Sequence, residues 1–184
     1  MKYYVVLLRG INVGGKNIIP MAALKSFLED LGFKNVSTYI ASGNVILASQ
    51  KTPNQIKDLI EATLTAKFNL SSDLIKVLVL NRQQLIEVVD NKPEGFGNKP
   101  EKYHSDVIFL LNINQEQALA VFNPRAGVDK VWLGNGVIYS QRLSAKRTQS
   151  RLSQIMSSVL YKSMSIRTWN TTIKLVEMLQ EREH

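Results

Sequence analysis

Two hydrophobic periods alternate along this chain in an order that leaves few architectures open. Tyr3 to Leu8 is an unbroken apolar run that reads as a buried strand. Met21, Leu24, Phe27, Leu28 and Leu31 then recur at helical spacing behind Pro20, read as the first helical position, until Gly32 ends the run. Val36 to Ile40 and Val45 to Leu47 are short β-prone runs joined through Ala41-Ser42-Gly43-Asn44, a hairpin with an exposed tip. Thr52-Pro53 opens a second helix with the stripe Ile56, Leu59, Ile60, Leu64 and Phe68. Leu74 to Leu80 is apolar in both parities and is expected to be a strand buried on both faces. Asn81 with Gln84 matches a capping box for a short helix carrying Leu85, Val88 and Val89.

Strand-helix-strand twice over, with a hairpin in the middle, is the order of a ferredoxin-like split βαβ unit, in which two helices cover one face of a four-stranded sheet. Asn91 to Lys102 interrupts it with Pro93, Gly95, Gly97 and Pro100, the composition of a linker or long surface loop. The same order then returns. His104 to Leu111 reads as a strand and Asn114 to Phe122 as a helix stopped by Asn123-Pro124. Val131 to Leu133 and Val137 to Tyr139 flank Gly134-Asn135-Gly136, a strong hairpin signal. Leu152, Ile155, Met156, Val159 and Leu160 give the apolar face of another helix, Ser165 to Thr168 is a final short strand, and Asn170 or Thr171 caps a last helix to about Glu183. The expected fold is α+β: two tandem ferredoxin-like (βαββαβ) subdomains, residues 1–90 and 103–184, each with a trailing helix, separated by residues 91–102.

Composition narrows the chemistry. The absence of cysteine removes disulfides, thiolate catalysis and sulfur-ligated metal, and fits a reducing compartment. Lys2 is followed by six apolar residues before Arg9, too short for a signal-peptide core, and no later apolar run approaches the roughly 20 residues that a bilayer requires. A cytoplasmic protein with no membrane partner is expected. Lys and Arg number 23 against 15 Asp and Glu, for a net charge of +8, so an anionic partner such as nucleic acid or a phosphorylated small molecule is favoured. The charge is uneven: no acid precedes Glu29, and none lies between Asp129 and Glu177, where Lys130, Arg142, Lys146, Arg147, Arg151, Lys162, Arg167 and Lys174 fall.

Three places carry candidate chemistry. The first apolar run ends in Arg9-Gly10-Ile11-Asn12-Val13-Gly14-Gly15-Lys16-Asn17, where glycines free the backbone to face an anion and Arg9 and Lys16 add charge. Gly10 to Lys16 has the G-x-x-x-x-G-K spacing of a nucleotide-binding loop, but Asn17 replaces the Ser or Thr that holds magnesium, and Pro20 delays the helix. A generic anion site or a structural turn fits better than a hydrolase loop. Ser42, Gly43 and Asn44 at the hairpin tip are candidates to share a polar pocket with Asn12, or else satisfy turn geometry. Lys146, Arg147 and Arg151 straddle the expected helix start among Ser144, Thr148 and Ser150, and Arg167, Trp169 and Asn170 place an aromatic between cationic and amide groups, so both clusters suit a phosphate backbone or a stacked base. His104 and Asp106 share a strand face without a third partner, and no catalytic constellation, metal cluster or cofactor motif stands out.

LLRGINVGGKNIIPM near the start, YIASGNV after it and IRTWNTTIKL near the end resemble a bacterial family, the domain of unknown function sixteen ninety-seven. The resemblance implies two ferredoxin-like subdomains and carries no activity or catalytic residue. On residues alone the leading expectation is a non-catalytic anion-binding protein with a basic surface and a glycine-rich loop. The alternatives are a phosphate-handling transferase or hydrolase with its pocket at that loop, and a structural or partner-binding module.

Overall fold

The computed structural model describes residues 1–71 and 75–182. The chain forms two compact units, Met1–Ile86 together with the residues from Lys174 onward, and Glu87–Ile173.

Unit 1 runs β1 (Lys2–Arg9), α1 (Met21–Asp30), β2 (Lys34–Tyr39), β3 (Asn44–Ser49), α2 (Pro53–Phe68) and β4 (Lys76–Asn81), leading into α3 (Arg82–Asp90). Its sheet has the order β2-β3-β1-β4, antiparallel throughout. Every residue from Tyr4 to Leu8 in β1 and every residue of β3 is buried, which is why both strands read as nearly continuous apolar runs. Tyr4, Val6, Leu8, Val45 and Leu47 on one face meet Leu24, Leu28, Ile56, Ile60 and Leu64 from α1 and α2 in a single core. Local signals set the helix ends. The Phe33 amide reaches the Leu28 carbonyl at 3.2 Å around Gly32, closing α1 in a Schellman turn. Capping boxes start α2 with Thr52 and Gln55, and α3 with Asn81 and Gln84.

Two expectations need adjusting in this unit. Pro20 is the N-cap of α1 rather than its first residue. Of the expected strand from Leu74 to Leu80, Leu74 lies outside the described residues, and β4 is not buried on both faces: Val77 and Val79 are buried while Leu78 and Leu80 are half-exposed, because β4 is an edge strand.

Unit 2 contains β5 (Tyr103–Leu110), α4 (Gln115–Ala120), β6 (Asp129–Leu133), β7 (Val137–Leu143), and β8 (Met164–Thr168), which leads into α5 (Trp169–Gln180). Its sheet order, β6-β7-β5-β8, repeats that of unit 1 strand for strand. The molecule is thus α+β, with two four-stranded antiparallel sheets of ferredoxin-like order.

The expected helix between β7 and β8 is absent as an α-helix. Three 3-10 turns, Ser144–Gln149, Leu152–Ser157 and Val159–Ser163, take its place, with Ser150 and Ser158 in extended conformation between them. Serine is the cause. Ser150 and Ser158 hydroxyls accept the amides of Leu152 and Leu160, and the Ser157 hydroxyl donates to the Gln154 carbonyl, each offering the backbone a local alternative to the helix ladder. Leu152 and Ile155 still reach the core, but Met156 and Val159, assigned to the same apolar face, are 61% and 85% exposed.

Residues 91–102 form a series of turns within unit 2, anchored by Phe96. Its ring, fully buried, packs edge-on against Trp132, Tyr139 and Trp169. The Lys92 ammonium donates to the Phe96 carbonyl and to Asn98 at 2.8 Å, and the Tyr139 hydroxyl donates to the Val88 carbonyl at 2.6 Å. Burial pushes the Tyr139 hydroxyl up to about 12, so it remains a donor at physiological pH. Replacing Phe96 by Ala is expected to cost about 3–5 kcal/mol in denaturant unfolding; a loss below about 1 kcal/mol, within the range of an ordinary surface change, is the result this packing forbids.

Candidate anion-binding surface

The glycine-rich loop and the hairpin tip do converge, through backbone and amide groups. Asn12 Nδ2 donates to the Ile19 carbonyl at 3.0 Å and to the Ala41 carbonyl at 2.8 Å, while its Oδ1 accepts the Ile19 amide at 2.7 Å. Asn17 Nδ2 donates to the Gly10 carbonyl, and Asn17 Oδ1 accepts the Ser71 amide. The amides of Asn12 and Lys16 close onto Asn17 and Val13, with Gly14 and Gly15 at positive φ in the tight turn between. Gly43 lies against β1: the Leu8 amide donates to its carbonyl at 2.8 Å, and an added Cβ would stand 2.8 Å from Leu8 Cβ. Asn44 is buried, with Nδ2 donating to the Tyr39 carbonyl and to Ser42 Oγ.

The polar groups expected to face a ligand here thus hold loop to tip. Arg9 is half-buried, opposite Lys76 in the β1–β4 ladder, and Lys16 is exposed. The nucleotide-loop spacing has no matching geometry, because α1 begins five residues after Lys16.

Two of the three residues in the Arg167, Trp169 and Asn170 cluster are buried. Arg167 is 7% exposed on β8 opposite Val107, with Nη1 donating to Ser165 Oγ at 3.2 Å and to the Ile166 carbonyl at 2.8 Å. Burial pulls its pKa down to about 10. Trp169 is also buried, its indole against Phe96 and so close to Gly97 that no Cβ fits there, which rules out an open stacking platform. Neither Asn170 nor Thr171 caps α5. Thr168 does, its Oγ1 accepting the Thr171 amide at 3.2 Å. Asn170 is exposed, at a cavity of about 180 Å³ that it shares with His104, Thr168 and Trp169. His104 Nε2 lies 3.0 Å from Asp106 Oδ1 beside this cavity, and among the described residues no three His, Asp or Glu gather as metal ligands.

Cations do collect around one buried carboxylate that composition did not single out. Asp129, at the start of β6, is 6% exposed, and its Oδ2 accepts the amides of Arg151 at 2.9 Å and Arg125 at 3.0 Å. Arg142 stands opposite it in the β6–β7 ladder and opposite His104 in the β5–β7 ladder. Burial acts to raise the Asp129 pKa; the amides of Arg151 and Arg125 and the charge of Arg142 outweigh it and hold the carboxyl below its ordinary range. One inward-facing acid therefore positions a loop, a strand and the first 3-10 turns, with Arg125, Arg142 and Arg151 half-exposed around it and Lys146 and Arg147 exposed beyond. Lys146, Arg147 and Arg151 lie in and beside 3-10 turns rather than at the start of an α-helix.

The fold and these sites define a tandem ferredoxin-like α+β protein whose second unit carries an acid-free stretch from Lys130 to Ile173. The chain belongs to the family described as Protein of unknown function (DUF1697), whose match covers residues 1–139. It is similar over 97% of its length, and over 98% of the other chain, to a solved conserved bacterial protein, SP0830 from Streptococcus pneumoniae, with 23% identity and a TM-score of 0.82. That likeness concerns the fold. No curated protein matches the sequence. Among the described residues no helix is long and apolar enough to cross a membrane.

Because the folded Asp129 carboxyl sits below its unfolded pKa, the stability it contributes is fully present above the unfolded value and is lost as pH falls through the folded one. Asp129→Asn is expected to lower stability at pH 7 and to flatten the acid limb below about pH 4. Urea midpoints across pH 2.5–7 check this; parallel wild-type and variant curves would exclude the role.

Proposed function

We propose that this protein binds the phosphate backbone of nucleic acid through unit 2, on the surface built by the 3-10 turns and the adjoining strands β6 and β7. One observation carries the reading. From Lys130 to Ile173 the chain has no acidic residue, and the acid that precedes this stretch, Asp129, turns its carboxylate inward onto backbone amides. Lys130, Lys146, Arg147 and Lys162 are exposed and Arg142 and Arg151 half-exposed, so these cations act on solvent without a neighbouring carboxylate in sequence to offset them. Ser144, Thr148 and Ser153, exposed in the same turns, are the neutral hydroxyl donors that accompany such cations at phosphates. Backbone recognition needs no sequence readout, and the buried Trp169 offers no platform for a base. The glycine-rich loop is left out of this site because its carboxamides bind its own backbone and the hairpin tip.

Affinity for an oligonucleotide is expected to fall steeply between about 50 and 200 mM salt. The triple variant Lys146→Gln, Arg147→Gln, Lys162→Gln should bind at least about tenfold more weakly, with a log–log salt slope shallower by about 2 to 3. Fluorescence anisotropy with one labelled single strand and one duplex measures both quantities. Salt-independent binding, or a triple variant equal to wild type, would retire the proposal.

A further inference from the structure

Unit 1 holds a cleft of about 860 Å³ that none of the candidate site residues line. Its walls come from the start of β1, the β4–α3 junction and the first residue of α2, and from α5 and the segment after it, and they bring together Lys2, Arg82 and Arg182 with no carboxylate among the described lining residues. The volume lies in the range of sites for whole small molecules. Lys2, Arg82 and Arg182 together raise the positive potential of this concavity.

Arg182 is held in place for such a ligand. Its Nη1 donates to the Asn35 carbonyl at 2.6 Å and its Nη2 to Ser37 Oγ at 2.5 Å, and its guanidinium lies 5.8 Å from the centre of the Tyr3 ring. The Tyr3 hydroxyl in turn accepts from Asn35 Nδ2 at 2.8 Å. Among the described residues these partners are all neutral. They fix the planar fork and leave its charge, with three of its five N–H groups, for another acceptor. A guanidinium pinned by a carbonyl, a hydroxyl and a ring loses little freedom on binding a phosphate, which is the preorganisation that a surface arginine lacks.

The cleft is not polar throughout: Tyr4, Pro53 and Leu179 add apolar wall beside the cations. Bare phosphate would use only part of it. We propose that the cleft is a binding site for a nucleoside polyphosphate, with Lys2, Arg82 and Arg182 on the phosphates and the apolar wall against the nucleoside. This site is independent of the nucleic-acid surface on unit 2 and shares no residue with it.

Isothermal titration of the full chain in about 150 mM salt, with ADP, ATP, GTP and pyrophosphate as probes, tests the assignment. At least one nucleotide should bind, and more tightly than pyrophosphate. Lys2→Gln and Arg182→Gln should each weaken it about 10–100-fold, the loss of one charge-assisted contact. Lys2 is exposed, so its variant keeps the test valid if Arg182→Gln also loosens the fold. Lys146→Gln with Arg147→Gln should leave nucleotide affinity unchanged while weakening oligonucleotide binding. No heat with any nucleotide would overturn the site, and so would affinity insensitive to both cleft substitutions. Pyrophosphate binding as tightly as the nucleotides would overturn the nucleoside assignment.

Discussion

In each unit one antiparallel ladder at the centre of the sheet bears everything else. The β1–β3 ladder pairs Lys2 with Ser49 through to Leu7 with Asn44, and its pairs Tyr4–Leu47, Val5–Ile46 and Val6–Val45 are apolar on both faces, so burial fixes its register. Its counterpart, β5–β7, is apolar only where Val107, Ile108 and Phe109 face Tyr139, Ile138 and Val137. Toward Tyr103 the same ladder turns polar, pairing Asp106 with Ser140, Ser105 with Gln141 and His104 with Arg142. Polar groups persist at the centre of a sheet only when bonded, and these are: Ser105 Oγ donates to Gln141 Oε1 at 2.8 Å, the Gly97 amide donates to the same oxygen, and His104 meets Asp106. Arg142 and Asp129 continue that polar end into the next strand. The same topology therefore yields a mostly apolar central ladder in one unit and an arginine-rich edge in the other.

That contrast explains what was legible in the sequence. Helix ends were readable wherever the signal was local: Thr52 with Gln55, Asn81 with Gln84, and Gly32 before Phe33 act within a few residues. The strand order followed from the apolar runs and from Gly134-Asn135-Gly136. The segment from Ser144 to Ser163 was misread because Leu152 and Ile155, three apart, satisfy a 3-10 turn as well as an α-helix. The serines that decide between them act through hydroxyl bonds that a hydrophobic pattern does not register. Burial of Arg167 was equally hidden, since only pairing with Val107 on the central strand carries that side chain inward.

The motif most conspicuous in the sequence serves the fold. Asn12 closes the loop after β1 with two hydrogen bonds to Ile19 and joins it to the β2–β3 hairpin with a third, to the Ala41 carbonyl, and Gly43 is required because β1 leaves no room for a Cβ. Asn12, at φ 53°, commits both amide hydrogens and one lone pair to the backbone of the loop and the hairpin. Motif density therefore marked where the backbone is most constrained. The cleft of unit 1 left no comparable trace, because Lys2 and Arg182 are brought together only by the fold, from opposite ends of the described chain.

Charge placement, more than net charge, separates the candidate surfaces. Asp129 turns inward and organises arginines by their backbone amides, so a single acid orders cations without neutralising them at the surface. Arg182 is ordered by a carbonyl, a hydroxyl and a ring, among the described residues again without a carboxylate. Ordinary surface stabilisation runs the other way: Lys25 with Glu29, and Lys174 with Glu177, pair across a helical turn and cancel locally. A fold that pairs its dispensable cations with acids, and positions others with neutral partners or with one buried carboxylate, keeps positive charge where an anion can reach it.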